Sequence, residues 1–463
     1  MRSFSLKSTD ENATRLLRDD PIGRNSSVFR FIDLLSHIQE SCTIAINGEW
    51  GSGKTFFVKQ AKLILDAWND HSEMDDDTRS EIKGCCRQMG GEVECYSTVY
   101  YDAWMYDNHE DPILSLVYAT IATNQTDYSN EKKRSIIDNA AAIAGALTGR
   151  DINKVIESAR GKDTFASFKE ADDLQELVRH FIDSLILEHG NRLVFFIDEL
   201  DRCKPDYAIR FLERIKHYFD DERITFVFSV SLSQLQATVK KYYGVDFNAT
   251  RYLDKFFDLR LTLPIPNLER FMQERLHLYG NSRADIVCIE AAKQYRLSLR
   301  EAERFARVVK ICIQPAVNST SNLYSGDNAC FFSMTFFLPI MIVLQMTDMQ
   351  AYTQFVSGEN PQPFLDLLRW PNQQFDSRLI LANNEKLDET RQVILSDKNS
   401  QTTKVAIEDR LKEVYEAFFS KHEHPNSQWG DTIIGQLRIT DRTKDYISNV
   451  VSMLSQWADY EYK

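Results

Sequence analysis

Residues 48–55 read GEWGSGKT and hold three of the chain's 17 glycines. This is the complete pattern G-x-x-x-x-G-K-[ST] of a phosphate-binding loop, in which glycines let backbone N–H groups turn toward phosphate oxygens. The Lys54 ammonium can reach the β- and γ-phosphates, and the Thr55 hydroxyl can bind Mg²⁺. The stretch therefore predicts an ATP–Mg²⁺ site, formed by Gly48, Glu49, Trp50, Gly51, Ser52, Gly53, Lys54, Thr55 and Phe56.

An acidic pair follows an apolar run in VFFIDEL, further along the chain. The run predicts a buried strand that delivers Asp198 to Mg²⁺ through water and Glu199 to the attacking water. An apolar run followed by Asp-Glu is common, but the phosphate loop upstream favours the catalytic interpretation. Two interpretations remain for Asp201 and Arg202: they have a role in the site, or they form a helix-capping pair with an exposed cation. Two interpretations also remain for Ser231, after the next strand: it is a γ-phosphate sensor, or it is a polar strand end.

These residues need a scaffold, and short apolar runs alternate with helical patterns over the first 263 residues. Strands that alternate with helices indicate a parallel sheet covered by helices on both faces. Beyond Pro266 helical periodicity dominates and no strong strand pattern is found, while the polar stretch 69–91 predicts a loop. We therefore predict an α/β NTPase domain over 1–266, an all-α lid over 267–350 and a C-terminal helical region over 351–463. The predicted strands are 42–47, 93–101, 193–197, 224–230 and 259–263.

Bulk properties limit the class of protein. The net charge of −13 does not indicate general nucleic-acid binding. The eight cysteines include no C-x-x-C pair, and the polar N-terminus does not resemble a signal peptide, so a cytoplasmic protein is expected. The apolar segment 329–346 is near the lower length limit for a membrane span, but it holds Pro339 and lacks basic flanks, which favours a buried helix.

Four motifs in order resemble the KAP family of P-loop NTPases. They are the loop GEWGSGKT with its internal Trp50, the segment YYDAWMYDNHEDP around Trp104, the segment FFIDELDRCKPDYAIRFLERIKHYF and the segment YLDKFFDLRLTLP. The resemblance covers most of residues 15–310. It implies an additional-strand P-loop fold, close to the AAA+ and STAND groups. Many relatives carry transmembrane helices after the phosphate loop, where this chain has only AAAIAGAL, so it resembles a soluble bacterial branch.

The resemblance also implies roles for residues outside the phosphate loop. Pro21 and Ile22 correspond to a segment along the adenine base, although a loop before the first helix explains them too. Arg300, chosen over Arg304, corresponds to a lid sensor arginine, with a charged surface helix as an equal alternative. Arg251 lies where AAA+ relatives often carry an arginine finger. The family usually has Asp-Asp where this chain has Asp198-Glu199, and the glutamate favours hydrolysis. The family often has Asp at the end of the fourth strand, where this chain has Ser231, so the resemblance does not imply a sensor role for that serine.

The first functional hypothesis is an ATP-hydrolysing regulatory switch. By resemblance it would serve a bacterial anti-phage defence or exclusion system, with a separate protein effector from the same operon. The alternatives are a nucleotide-binding scaffold with little turnover and a DNA-stimulated AAA+-like motor. Homo-oligomerisation is left open, and no nuclease, protease or deaminase signature is present.

Overall fold

The computed structural model describes residues 9–86, 93–123, 130–148, 166–186, 192–274, 276–278, 283–319, 333–366, 386–387, 392–396 and 402–419. The chain forms two compact units, one of residues 5–266 and one of residues 267–463 together with 1–4. Their division falls at Pro266, and the finer division at residue 350 stays a prediction.

A five-stranded, wholly parallel sheet is the centre of the first unit. Its strands are β1 (Cys42–Asn47), β2 (Tyr96–Asp102), β3 (Arg192–Asp198), β4 (Ile224–Val230) and β5 (Leu259–Thr262). The order across the sheet is β2-β3-β4-β1-β5, with every neighbouring pair parallel. Strand β4 therefore lies between the strand before the phosphate loop and the strand that ends in Asp198, which confirms the predicted additional-strand arrangement.

Side chains of the central strands alternate between two cores. Phe195 and Ile197 of β3 point into the core on one face, and Val194 and Phe196 pack into the core on the other. Both cores are apolar because the parallel strands are covered on both sides. The helices of this unit are α1 (Asp10–Asp19), α2 (Asn25–Ser36), α3 (Lys54–Trp68), α4 (Asp76–Cys85), α5 (Pro112–Thr123), α6 (Asn130–Thr148), α7 (Ala166–Leu185), α8 (Pro205–Tyr218), α9 (Leu232–Tyr243) and α10 (Ala249–Leu253).

The second unit is mostly helical. The apolar segment predicted to be a buried helix forms a π-helical turn, Ser333–Phe337, that continues directly into a helix, and its described residues are buried as far as Leu344. None of the described helices has the length and apolar content needed to cross a lipid bilayer. The helices are α11 (Leu268–Glu274), α12 (Arg283–Gln294), α13 (Leu299–Ser319), α14 (Leu338–Thr347), α15 (Met349–Val356), α16 (Gln362–Leu365) and α17 (Ile407–Phe419).

The C-terminal part contains strands that the sequence reading missed. An antiparallel sheet joins β6 (Lys386–Leu387), β7 (Gln392–Ser396) and β8 (Thr402–Ala406) in that order. The expectation of helix throughout 351–463 is therefore wrong for these residues. The sequences QVILS and TTKVA are rich in β-branched residues, whose side chains favour the extended backbone.

Candidate functional site

The phosphate loop connects the end of β1 to the first residue of α3, Lys54. Gly51 and Gly53 have φ angles of 77° and 90°, which glycine adopts without steric cost. The Gly48 N–H donates to the Val230 carbonyl at 3.2 Å, so the loop is attached to the end of β4. The loop thus has the turned backbone and the helix N-terminus that a polyphosphate requires.

Lys54 is buried at the base of this loop, with a relative exposure of 8%. Its ammonium donates to the carbonyls of Gly48 at 2.7 Å and Glu49 at 3.2 Å. Burial lowers the pKa of Lys54, while the nearby carboxylates of Asp201, Asp198 and Glu199 oppose that shift. The lysine and the acidic residues after β3 therefore belong to one electrostatic site.

Asp198 ends β3 and is almost fully buried, at 1% exposure. The Tyr100 hydroxyl donates to its Oδ2 at 2.9 Å, and the Glu199 N–H donates to its Oδ1 at 3.0 Å. Burial and the adjoining Asp198 carboxylate raise the pKa of Tyr100, which keeps the phenol a proton donor. The carboxylate is thereby fixed in orientation at the sheet edge, where Asp102 ends the neighbouring strand beside it.

Glu199 follows with a φ angle of 61°, a left-handed conformation that is uncommon for glutamate. Its carboxylate forms an ion pair with the Arg202 side chain. Burial and the Asp198 charge raise the pKa of Glu199 to about 7, against the opposing effect of Arg202. Strained backbone of this kind is found at functional sites when the surrounding contacts enforce it.

Asp201 connects three loops of the site. Its Oδ2 accepts the Trp50 indole N–H at 2.8 Å and the Ser231 backbone N–H at 3.0 Å. It is 5% exposed and lies in the short 3₁₀ turn Leu200–Arg202. Asp201 is therefore a structural anchor between the phosphate loop and the end of β4. The alternative of a helix-capping pair with an exposed cation does not hold, because the following helix has no side-chain cap and the Arg202 side chain is only 23% exposed.

Arg202 lies between two tryptophan rings. Its guanidinium carbon is 5.7 Å from the Trp50 ring centroid and 5.6 Å from the Trp104 ring centroid, within cation–π range. Trp104 belongs to the 3₁₀ turn Ala103–Tyr106, whose N–H groups are held by the Asp102 carboxylate. The sequence analysis used Trp104 as a family marker and Trp50 as a family marker and a member of the phosphate loop, and a single sequence gave no signal that one arginine would contact both.

Arg24 is a second residue that sequence reasoning missed. It is 4% exposed, and its guanidinium donates to the Ser52 carbonyl of the phosphate loop at 2.5 Å and to the Pro264 carbonyl after β5. Burial lowers the pKa of Arg24 to about 10. The signal was its place as the last residue of DDPIGR, the segment predicted to lie along the adenine base, in which Pro21 and Ile22 are buried. Their contact with a base stays a prediction.

The two remaining predicted arginines are exposed. Arg251 lies in α10, where its N–H donates to the capping side chain of Asn248 at 3.0 Å. Arg300 lies in the first turn of α13, in the second unit, and its role as a sensor stays a prediction. Ser231 is buried, and its hydroxyl pairs with that of Ser233 at 3.0 Å.

The donor set fits a nucleotide and a hard cation. The hydroxyl oxygens of Ser52 and Ser229 are buried, with no hydrogen-bond partner in the part of the chain that the structure describes. Ser229 is the β4 neighbour of Asp198, so both lie at the same edge of the sheet. The described residues form no cluster of three or more His, Cys, Asp or Glu side chains able to hold a metal ion.

The parallel sheet, the loop at the end of β1 and the carboxylate at the end of β3 define a P-loop nucleotide-binding domain. The pattern of the KAP family P-loop domain matches residues 24–312, more than half of the chain. The protein belongs to the KAP family of P-loop NTPases, which suggests nucleotide binding. No curated protein matches the chain.

Proposed function

We propose that the first unit binds ATP at the phosphate loop and hydrolyses it, and that the chain acts as a nucleotide-driven regulatory switch. One observation supports hydrolysis above all. Lys54, Asp198 and Glu199 come from two separate segments and interact electrostatically at one edge of the sheet. These are the cation, the metal carboxylate and the water-polarising carboxylate that phosphoryl transfer to water needs.

Each residue has a role that its contacts support. The loop N–H groups and Lys54 bind the β- and γ-phosphates. Thr55 and Asp198 would hold Mg²⁺, which supplies neutralisation of the phosphate charge. Asp198 is oriented for that role by Tyr100. Glu199 polarises the attacking water, and its partly buried carboxylate strengthens that interaction because the local dielectric is low.

A scaffold with little turnover is the second candidate, and a specific contact favours it. The Glu199 Oε2 forms an ion pair with the Arg202 guanidinium. The guanidinium charge opposes transfer of a proton from an attacking water to this carboxylate, although burial raises the pKa of Glu199 on balance. A DNA-stimulated motor has less support, because the net charge of −13 gives no general attraction to a polyanion.

Phosphate release and nucleotide affinity separate these candidates. We expect Glu199→Gln to bind ATP with an affinity within about threefold of native and to lower phosphate release by about 10²- to 10⁴-fold, the usual contribution of a general base. Lys54→Ala should weaken ATP binding itself. Glu222→Gln and Lys240→Ala, at exposed positions, are matched controls. If the native protein binds ATP but releases no more phosphate than Glu199→Gln, the result would favour the nucleotide-binding scaffold over the ATP-hydrolysing switch.

The switch requires a partner that reads the nucleotide state. We propose a protein effector encoded beside this chain, in a phage-defence or exclusion system, on the strength of the family resemblance alone. The products of the neighbouring genes should co-purify with Glu199→Gln in ATP and dissociate from Lys54→Ala. Complexes that form equally with both variants would argue against a nucleotide-controlled switch.

A further inference from the structure

The contacts of Arg202 raise a question about Glu199. One guanidinium is paired with the Glu199 carboxylate and packed between the rings of Trp50 and Trp104. The side chains of Arg202 and Glu199 are 23% and 20% exposed, whereas Trp50 and Trp104 are 49% and 53% exposed. The pair is thus largely shielded from water by two rings that are themselves half-exposed.

The chemistry of this pair opposes the role of Glu199. A carboxylate that polarises water must accept a hydrogen bond from that water, and the guanidinium next to Oε2 competes with the water for the carboxylate charge. Arg202 is also close enough to Lys54 to interact with it electrostatically, so it lies next to the phosphate site. A bound triphosphate would bring new negative charge within reach of the same guanidinium, which can pair with phosphate as well as with carboxylate.

We propose that Arg202 is a positioning residue that holds Glu199 in an ion pair in the nucleotide-free protein, and that a bound nucleoside triphosphate releases Glu199 in only a fraction of the molecules. Trp50 and Trp104 fix the guanidinium in the restraining position. Because Trp50 belongs to the phosphate loop and Trp104 to the turn after β2, a movement of either loop changes the hold on Arg202. The carboxylate is therefore restrained by the same segments that surround the nucleotide.

This inference rests on the proposed hydrolysis and has a kinetic signature of its own. Arg202→Ala should raise kcat for ATP about three- to tenfold, the change expected from the loss of a partly shielded ion pair, with KM within about twofold of native. Arg202→Lys keeps the charge but loses the planar stacking, so its kcat should lie between those of native and the alanine variant. Lys204→Ala removes an exposed cation from the same loop and should match native.

A second pair of variants leaves Arg202 in place. Trp104→Ala removes one face of the stack and should raise kcat in the same direction, whereas Trp104→Phe keeps an aromatic face and should stay near native. If Arg202→Ala does not fold, the two Trp104 variants still test the proposal. A fall in kcat for Arg202→Ala at unchanged KM, or equal rates for Trp104→Ala and Trp104→Phe, would overturn the proposal.

Tryptophan emission tests the release without turnover. Addition of a non-hydrolysable ATP analogue with Mg²⁺ should change the emission of Trp104, measured as the difference between native protein and Trp104→Phe. That difference should be absent in Arg202→Ala. A native protein that binds the analogue with no change at Trp104 overturns the inference, whereas phosphate release that is absent from every variant refutes the proposed hydrolysis instead.

Discussion

Removal of the Asp201 carboxylate should destabilise the first unit through one orphaned backbone group. A single oxygen, Oδ2, accepts both the Trp50 indole N–H and the Ser231 N–H. In Asp201→Ala the Ser231 N–H, which lies in a residue only 3% exposed, loses its acceptor at a cost of about 1–3 kcal/mol. The half-exposed indole can bond to water, so its lost bond adds about 1 kcal/mol or less.

The expected loss is therefore about 1–4 kcal/mol in the free energy of unfolding. Asp201→Asn is the matched variant, because an amide oxygen in the Oδ2 position keeps both bonds, and we expect it to lose about 1 kcal/mol or less. Trp50→Phe removes only the indole bond and should behave like the asparagine variant.

Urea unfolding of the full chain, followed by circular dichroism, measures these differences. Thermal unfolding should show a midpoint lower by about 2–16 °C for Asp201→Ala, at the 2–4 °C per kcal/mol typical of units of this size. The reasoning fails if Asp201→Asn is as unstable as Asp201→Ala, since the geometry of one shared acceptor would then not be the cause. It also fails if the alanine variant stays within about 0.5 kcal/mol of native.

Three further substitutions test the site. Gly48→Ala should weaken ATP binding in a filter-binding assay, because its Cβ would lie 2.7 Å from the Ser52 hydroxyl and 3.2 Å from the Lys54 Cγ; Gly84→Ala, with nothing within 4 Å, should leave binding unchanged. Arg24→Met should lower the thermal midpoint and weaken ATP binding, since the loop loses its guanidinium contact; equal affinity for native and variant would contradict this anchor. Tyr100→Phe should raise the Mg²⁺ concentration needed for half-maximal phosphate release, because the Asp198 carboxylate loses its orienting hydroxyl; an unchanged Mg²⁺ dependence would exclude that role.

The sheet and the phosphate loop could be predicted because their signals are local. Continuous apolar runs such as CTIAIN and ITFVFSV mark buried parallel strands, and the glycine spacing marks the loop. The polar stretch 69–91, in contrast, contains α4 where a loop was expected. The Asp75 carboxylate caps its first turn, accepting from the Thr78 N–H at 2.8 Å, and Ile82 is fully buried. With only one buried apolar residue in this charged helix, the hydrophobic periodicity is too weak to predict a helix from the sequence.

The contacts that organise the site could not be predicted from the sequence because they join residues that are far apart in the chain. Trp50 and Asp201 are 151 positions apart, and Arg24 and Pro264 are 240 positions apart. A buried arginine that binds backbone carbonyls leaves no trace in its partners' identities, since any residue supplies a carbonyl. The same applies to Ser231, whose backbone N–H, rather than its hydroxyl, bonds to Asp201.

The position of β4 sets the distance between the phosphate loop at the end of β1 and the Asp198 carboxylate at the end of β3. Neighbouring strands are about 4.8 Å apart, so one intervening strand separates the ends of β1 and β3 by roughly 10 Å. A phosphate group and a hydrated cation can lie side by side across this distance. The floor of the gap is the end of β4, where the Ser229 hydroxyl has no hydrogen-bond partner among the described residues.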